Sequence, residues 1–210
     1  MKKDPIQMYH EYVSPTYCTT FDRANLFDQL ATQYNINSAI YPGSYIHITP
    51  SLYFQKTTYI DTDRRFSPFF NDQRVHSFIE ENKKYLGKSE VNFYKRDYRE
   101  LVDEEINKYD LLISQYAGFV SKYCKEYLNK GGILVVNNSH GDASMAYLDS
   151  DYSLIAIGNH RDGKYHISDK DLFQYFIPKK DIPHTTEYLE KIQKGVGYTK
   201  TASIYMFQKL

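Results

Sequence analysis

The sequence predicts an α/β protein: a three-layer sandwich around a mostly parallel, seven-stranded sheet whose last strand is antiparallel. Two observations predict this class. Segments rich in β-branched and apolar residues alternate with helical patterns from residue 38 to residue 137, as they do in successive βαβ units. Apolar side chains then recur at every second position in Thr201–Phe207, which is typical of a closing antiparallel edge strand.

The N-terminal residues are expected to be irregular. Aromatic side chains are scattered through residues 1–19 without a helical period, so this segment is predicted to be an arm or lid over a crevice. From Thr20 to Tyr34 the apolar side chains recur at intervals of three and four, which predicts an amphipathic helix packed on the sheet. Residues 20–210 are expected to form a single domain.

The first βαβ unit brings two candidate binding elements together. Ser38–Tyr41 is predicted to be a strand, and Tyr41-Pro42-Gly43-Ser44 turns the chain. Thr49 is a candidate N-cap for a short helix, and Lys56–Ile60 is the second strand. Ligands of parallel sheets bind at the carboxyl ends of the strands. The Gly43 turn and Asp61, which follows the second strand, should therefore meet at one crevice.

The remaining elements complete the alternation. The predicted helices are one capped by Asn71 or Asp72 and ended by Gly87, a short one in Leu101–Ile106, one in Phe119–Leu128, and two weak patterns in residues 171–193. The predicted strands are Val91–Tyr94, Asp110–Ser114, Ile133–Asn137 and Ser153–Gly158, with a hairpin from the last of these to Tyr165–Ile167.

Composition limits the classes of partner. The 26 basic and 26 acidic residues give a net charge of zero, so attraction to a polyanion is not indicated, although a local patch keeps RNA possible. Cys18 and Cys124 have no paired spacing and are interpreted as reduced thiols. No signal-peptide pattern and no long apolar run occur. A cytoplasmic protein with no membrane partner is expected.

Two His-x-Asp pairs are candidates for chemistry. His140 and Asp142 follow the fifth strand in a polar segment, where they could act as a base and its orienting partner. His160 and Asp162 repeat the pattern at the predicted hairpin, where a turn role is favoured. Neither spacing matches a defined ligand set, so no metal is predicted. The serine-hydrolase and P-loop motifs are absent, and one glycine suits a dinucleotide pyrophosphate poorly.

The order of strands and helices over about residues 20–210 resembles the Rossmann-like, class I S-adenosylmethionine-dependent methyltransferase superfamily. The resemblance implies a methyltransferase with S-adenosylmethionine as cofactor and an unknown small-molecule acceptor. It implies cofactor contacts from the turn after the first strand, the ribose-binding acid, the residues near the adenine and the end of the fourth strand, which are Tyr41, Pro42, Gly43, Ser44, Asp61, Thr62, Asp97 and Gln115. Facing the methyl group and the acceptor it implies Ser114 and Tyr116, to which His140 is added as a candidate base.

The sequence also departs from the pattern of this superfamily. The usual turn has two or three glycines in a G-x-G-x-G spacing, and this chain has Gly43 alone. A second hypothesis is therefore a binding or interaction module with the same fold but without transfer activity, and an RNA-associated protein is a third. The chain could be a monomer or a homodimer, with the last strand and the arm as candidates for pairing.

Overall fold

A computed structural model describes residues 3–14 and 22–210. The α-helices are α1 (Pro5–Val13), α2 (Ala24–Gln33), α3 (Ser67–Phe70), α4 (Gln73–Asn82), α5 (Val120–Tyr123), α6 (Asp142–Leu148) and α7 (Thr186–Ile192). The strands are β1 (Ser38–Pro42), β2 (Lys56–Asp61), β3 (Glu90–Lys95), β4 (Tyr109–Ser114), β5 (Leu128–Val136), β6 (Tyr152–Arg161), β7 (Lys164–Ser168) and β8 (Ile204–Lys209). Within the described ranges, no helix is both long enough and apolar enough to span a membrane.

The strands form one mixed sheet in the order β3-β2-β1-β4-β5-β8-β6-β7. Neighbours from β3 to β5 are parallel, and β8 is antiparallel to both β5 and β6. The α/β class and the antiparallel last strand are confirmed. Two predictions need correction: the sheet has eight strands because β7 is a full member, and β8 lies inside the sheet and not at its edge.

The position of β8 has a simple physical reason. Ile204 and Met206 are buried on one face of the sheet, and Tyr205 and Phe207 are buried on the other. The alternation in the sequence suggested one solvated face because tyrosine can be counted as a polar residue. In the structure Tyr205 is only 1% exposed, as expected for a strand that is covered on both faces.

Successive side chains of the central strands point into two separate cores. Ile113, Val135 and Met206 pack with α2 and α4, whereas Leu112 and Leu134 pack with α5 and α6. This division follows from the two-residue period of a strand, and it produces the predicted three layers. Each fully buried aliphatic side chain contributes about 1.5–3 kcal/mol of transfer free energy. Apolar packing on both faces therefore stabilises the sheet.

The N-terminal arm is helical where the sequence analysis expects irregular structure. Asp4 is the N-cap, its carboxylate accepting bonds from the backbone N–H groups of Ile6 and Gln7, and Pro5 stands in the first turn. Such a start favours a helix. Tyr9 is buried, and its hydroxyl lies 2.8 Å from Oγ1 of Thr49. The helix thus packs on the domain, while residues 15–21, including Cys18, lie outside the described residues.

Several local predictions are confirmed and others shift. Asp72 is the N-cap of α4 as expected, and the β6–β7 hairpin turns at residues 161–163. The crossover after β1 is a 3₁₀ helix (Thr49–Leu52) whose N-cap is Ile48 and not Thr49. Two helices end early, since α4 stops at Asn82 and α5 at Tyr123. Helix α6 was not predicted.

Candidate functional site

Two cavities lie at the carboxyl ends of the parallel strands, where ligands of such sheets bind. The first, of about 370 Å³, is lined by Gly43, Asp61, Thr62, Arg96, Asp97, Tyr98, Arg99, Tyr116 and Ala117. The second, of about 600 Å³, includes Arg23, Gln115, Tyr116, Asn137, Ser139, His160, Tyr165, Lys194 and Tyr205 in its lining. Tyr116 lines both cavities. Both volumes suit small molecules, whose sites span about 300–1,000 Å³.

Gly43 allows the closest approach of backbone in the first cavity. Its φ is +66°, a conformation that favours glycine, and its N–H donates to the carbonyl oxygen of Ile60 at 2.7 Å. A Cβ at this position would lie 2.3 Å from Cβ of Ala117. Glycine is therefore required both by the turn and by the segment that follows β4.

Asp61 ends β2 beside Gly43 with its carboxylate partly engaged. Its Oδ2 accepts the N–H of Tyr45 at 3.1 Å, and its Oδ1 accepts the N–H of Asp63 at 3.0 Å. A carboxylate oxygen can accept two hydrogen bonds. Each oxygen of Asp61 thus keeps one lone pair for a ligand hydroxyl, and the carboxylate is already oriented by two backbone groups.

Asp97, which follows β3, also lines the first cavity. Its carboxylate forms a two-pronged ion pair with Arg99 and also accepts the N–H of Arg99 at 2.9 Å. The Arg99 side-chain hydrogen bond lowers the pKa of Asp97 from its ordinary value. Asp97 is consequently an ionised acceptor in a fixed position. The neighbouring Arg96 donates to the carbonyl oxygen of Leu101.

Four predicted site residues are buried and line neither cavity. Tyr41 is 2% exposed, with its hydroxyl 3.4 Å from Nδ1 of His47. Pro42 is buried in β1, and the hydroxyl of Ser44 donates to the carbonyl oxygen of Tyr45. Ser114 is 2% exposed and donates to the carboxylate of Asp142. Strand alternation and the sharp turn at residue 43 direct these side chains into the protein.

Asp142 serves a buried network and does not orient His140. Its Oδ1 accepts the N–H of Ser121 at 3.1 Å, and both serines at positions 114 and 121 donate their hydroxyls to it. Burial raises the pKa of Asp142 to about 6, although these hydrogen bonds act in the opposite direction. His140 instead lies 3.0 Å from Oγ of Ser139 and lines neither cavity. The expected His140–Asp142 pair is therefore not formed.

Gln115 is the predicted residue that reaches the second cavity along with Tyr116. It is 4% exposed, and its Oε1 accepts Nδ2 of Asn137 at 3.2 Å. Its Nε2 has no hydrogen-bond partner among the described residues. Tyr116 is 57% exposed with a φ of +63°, and it lines both cavities.

Residues from distant parts of the chain close the second cavity. The carbonyl oxygen of Asn138 and that of Lys194 lie 2.1 Å and 2.7 Å from where Cβ atoms of Gly195 and Gly141 would be. The buried Ser144 holds Asn138 from behind the cavity, since it donates to Oδ1 of Asn138 and accepts the hydroxyl of Tyr198 at 2.7 Å. The late segment is thus fitted tightly against the loop after β5.

Sequence analysis missed most of the lining of the second cavity. Arg23 comes from the N-cap of α2, Lys194 from the loop after α7, and His160 from β6, where a turn role was favoured. The His-x-Asp pattern marked His160, whereas no motif marks Arg23 or Lys194, and only the tertiary fold brings the three residues together. In residues 3–14 and 22–210, no three His, Cys, Asp or Glu side chains are grouped so as to hold a metal ion.

Comparison with known proteins gives fold similarity without close relatives. No protein-family model matches the chain. No curated protein matches it either. Among solved structures, a methyltransferase from Geobacter sulfurreducens has a TM-score of 0.51 at 12% identity, covering 75% of this chain and 85% of its own. The O-methyltransferase TomG from Streptomyces achromogenes, in complex with SAM, has a TM-score of 0.50 at 12% identity, covering 80% and 88%.

A third similar structure is an O-methyltransferase from Bacillus cereus in complex with SAH, with a TM-score of 0.51 at 9% identity, covering 80% of this chain and 90% of its own. The identities are low, so the likeness concerns the fold and not the chemistry. The order of the strands, their directions and the similar solved structures all indicate the same fold. The chain has the fold of the class I S-adenosylmethionine-dependent methyltransferases.

Proposed function

We propose that this chain binds S-adenosylmethionine in the first cavity and transfers its methyl group to a small-molecule acceptor in the second. One observation carries the proposal: Asp61, at the carboxyl end of β2 and beside Gly43, presents a carboxylate with a spare lone pair on each oxygen. This is the chemistry that ribose hydroxyls require. The fold leads us to expect a bound S-adenosylmethionine, and the position of the Asp61 carboxylate supports this expectation for this chain.

The other residues of the first cavity fit the same cofactor. Gly43 has no side chain to obstruct a ligand near the end of β1. Thr62 offers a hydroxyl that could receive the amino group of adenine, and Asp97, held by Arg99, adds a negative charge beside it. Gln115 extends the polar surface beyond Tyr116 toward the acceptor. We therefore assign Gly43, Asp61, Thr62 and Asp97 to the adenosine part.

Methyl transfer asks mainly for positioning. When bound, the cofactor supplies an electrophilic methyl group on a sulfonium sulfur. The protein has to align the acceptor with it and keep water out, and alignment alone can supply much of the rate. Tyr116 is the residue suited to this, because it alone among the described residues lines both cavities. Ser114 would act indirectly, by holding Asp142 beneath the loop that carries Tyr116.

A proton acceptor is needed if the methyl acceptor is a hydroxyl or a protonated amine. We assign this role to His160 in place of His140, because His160 lines the second cavity and His140 does not. Its backbone N–H donates to Oγ of Ser203 at 3.1 Å, and its ring lies 5.1 Å from that of Tyr165. These contacts hold the imidazole at the wall of the cavity.

A non-catalytic module is the second candidate, and one observation favours it. Ala117 packs against Gly43 at the first cavity, and the adjacent Tyr116 lines both cavities. If this segment does not move, a ligand in the first cavity cannot reach one in the second. The chain would then bind a nucleoside without transferring a group.

Isothermal titration calorimetry with S-adenosylmethionine and S-adenosylhomocysteine tests the proposal. We expect both to bind the unaltered chain, and Asp61→Asn to weaken both by about tenfold or more, because hydrogen bonds to a charged group are lost. Asp162→Asn is the matched control: it makes the same chemical change at an exposed hairpin position and should leave the affinities unchanged. A melting curve for each variant shows that it is folded.

Two results would decide against methyl transfer. If neither compound gives heat up to millimolar concentration, the cofactor assignment is wrong. If both bind but no S-adenosylhomocysteine forms from S-adenosylmethionine in the presence of a small-molecule extract, the module is the better description.

A further inference from the structure

We propose that the second cavity binds a small molecule through an anionic group, a carboxylate or a phosphate, and that the methyl acceptor is therefore an organic anion. The identification of this anion as the acceptor rests on the proposed function. The anion site itself rests on the charges and hydrogen-bond donors that line the cavity.

The lining of the second cavity has an unbalanced charge. Two basic residues, Arg23 and Lys194, line it, and none of its described lining residues is acidic. The first cavity, in contrast, contains Asp61 and Asp97 together with two arginines. The chain as a whole is neutral, so the positive lining is a local feature. Arg23 is only 4% exposed, and charge in such a partly desolvated position interacts strongly with an anion.

Gln115 adds a neutral donor whose orientation can be determined. The N–H of Ser139 can only donate, and it donates to Oδ1 of Asn137 at 3.2 Å. The amide nitrogen of Asn137 must then be the atom that donates to Oε1 of Gln115. This leaves Nε2 of Gln115 as the end without a partner among the described residues. If the two ends of the Gln115 amide were exchanged, its NH₂ group would face the NH₂ group of Asn137, and two donors cannot form a hydrogen bond.

A donor left unpaired in the interior costs free energy, since it has lost its bonds to water. Gln115 is only 4% exposed, and it lines the cavity. A ligand that accepts a hydrogen bond there would recover the loss. The aromatic rings of Tyr116, Tyr165 and Tyr205, which also line the cavity, would pack against an apolar part of the same ligand. An aromatic acid combines both properties.

The test measures binding of three probes in the absence of cofactor: 4-hydroxybenzoate, phenyl phosphate and the neutral 4-hydroxybenzamide. We expect at least one anion to bind at least about tenfold more tightly than the amide. Gln115→Glu keeps an oxygen that accepts the hydrogen bond of Asn137 but replaces the unpaired NH₂ donor with a negatively charged oxygen. It should therefore weaken binding of the anionic probe by about tenfold or more. Gln208→Glu, an exposed position on β8, is the matched control and should change nothing.

A second pair of variants tests the site independently in case Gln115→Glu does not fold. Lys194→Gln should weaken the anion by about two- to fivefold, and Lys191→Gln, an exposed lysine that does not line the cavity, should not. Equal affinity for the acids and the amide, or unchanged binding by Gln115→Glu, would overturn the anion site.

Saturating S-adenosylhomocysteine separates the two possible sources of the anionic group. If the anion binds equally well in its presence, the site belongs to the acceptor. If the two compete, the site holds the carboxylate of the cofactor's own amino-acid end, and the assignment to the acceptor is wrong. The two proposals can fail separately, because Asp61→Asn should weaken S-adenosylhomocysteine binding by about tenfold or more while the anion still binds with unchanged affinity. Loss of both would contradict the separate second site.

Discussion

At the scale of single residues, the candidate site depends on neighbours that are distant in sequence. Gly43 was predicted as a turn residue, and its φ of +66° agrees. A side chain at this position, however, would collide with Ala117, from the segment after β4. The small size of both residues lets the two loops touch. A larger side chain at either position would separate the loops that border the first cavity.

This contact makes a stability prediction. Gly43→Ala should lower the free energy of unfolding by about 2–4 kcal/mol, from a positive φ that costs an L-residue about 1–2 kcal/mol and from crowding of Ala117. Gly163→Ala shares the positive φ but has nothing within 4 Å, so it should cost only about 1 kcal/mol. Urea denaturation measures both.

The double variant Gly43→Ala, Ala117→Gly isolates the steric part. We expect it to regain the cost of crowding, so that its destabilisation approaches that of Gly163→Ala together with the small cost of the new glycine. If the double variant is no more stable than Gly43→Ala, the two loops do not touch in solution.

At the scale of elements, β8 shows how a correctly predicted strand can be misplaced. Its existence and its antiparallel direction follow from the sequence, but its bounds shift from Thr201–Phe207 to Ile204–Lys209 and its neighbours were not predicted. It pairs with β5 on one side and β6 on the other. The expectation that this strand is available for pairing with a second chain is therefore wrong. The edges of the sheet are β3 and β7.

Amide hydrogen exchange followed by NMR distinguishes the two arrangements. In an interior strand every backbone N–H donates to one neighbour or the other, whereas in an edge strand every second N–H faces outward. Tyr205, Met206 and Phe207 should therefore all exchange slowly. Strand β3, at the opposite edge of the sheet, is the internal control and should alternate between slow and fast positions. Alternating protection in β8 would contradict the sheet order.

Helices were predicted less well than strands. The helix α6 begins after Gly141, whose φ is +88°, and all but its last two residues are buried. A short helix that is covered on most sides has no amphipathic pattern to detect. The N-terminal α1 does carry a helix-start signal, an N-cap at Asp4 followed by Pro5. The irregular spacing of the aromatic residues was given more weight, and no helix was therefore predicted there. Its role as a lid stays a prediction.

At the scale of the whole molecule, Asp142 connects the end of β4 with the starts of α5 and α6. Its pKa is raised by burial from 3.8 to about 6. The folded chain therefore holds this proton more tightly than the unfolded chain. Its contribution to stability is complete below about pH 4 and is lost as the pH rises through about 6.

We expect this loss to be measurable as a pH-dependent difference between two proteins. From pH 4 to pH 6.5 the free energy of unfolding of the unaltered chain should fall by up to about 3 kcal/mol relative to that of Asp142→Asn. Asp151→Asn is the contrasting control, because Lys125 lowers the pKa of Asp151 and its contribution is instead lost as the pH falls. A pH-independent difference for Asp142→Asn would show that folding does not raise the pKa of Asp142.

The sequence by itself determined the α/β class, most strands, the antiparallel direction of the last one, and the meeting of Gly43 with Asp61. These features follow from local periodicity and from the rule that neighbouring parallel strands end at one edge of the sheet. Asp97, Gln115 and Tyr116 line the two cavities for the same reason.

Only the tertiary structure decided the rest. The place of β8 between β5 and β6, the burial of Ser114 with Asp142, and the gathering of Arg23 and Lys194 around one cavity depend on contacts between residues far apart in the chain. Local patterns carry no information about such contacts, because they arise from how covered faces are matched across the sheet. The order of the strands thus fixes which polar residues face a ligand and which are enclosed.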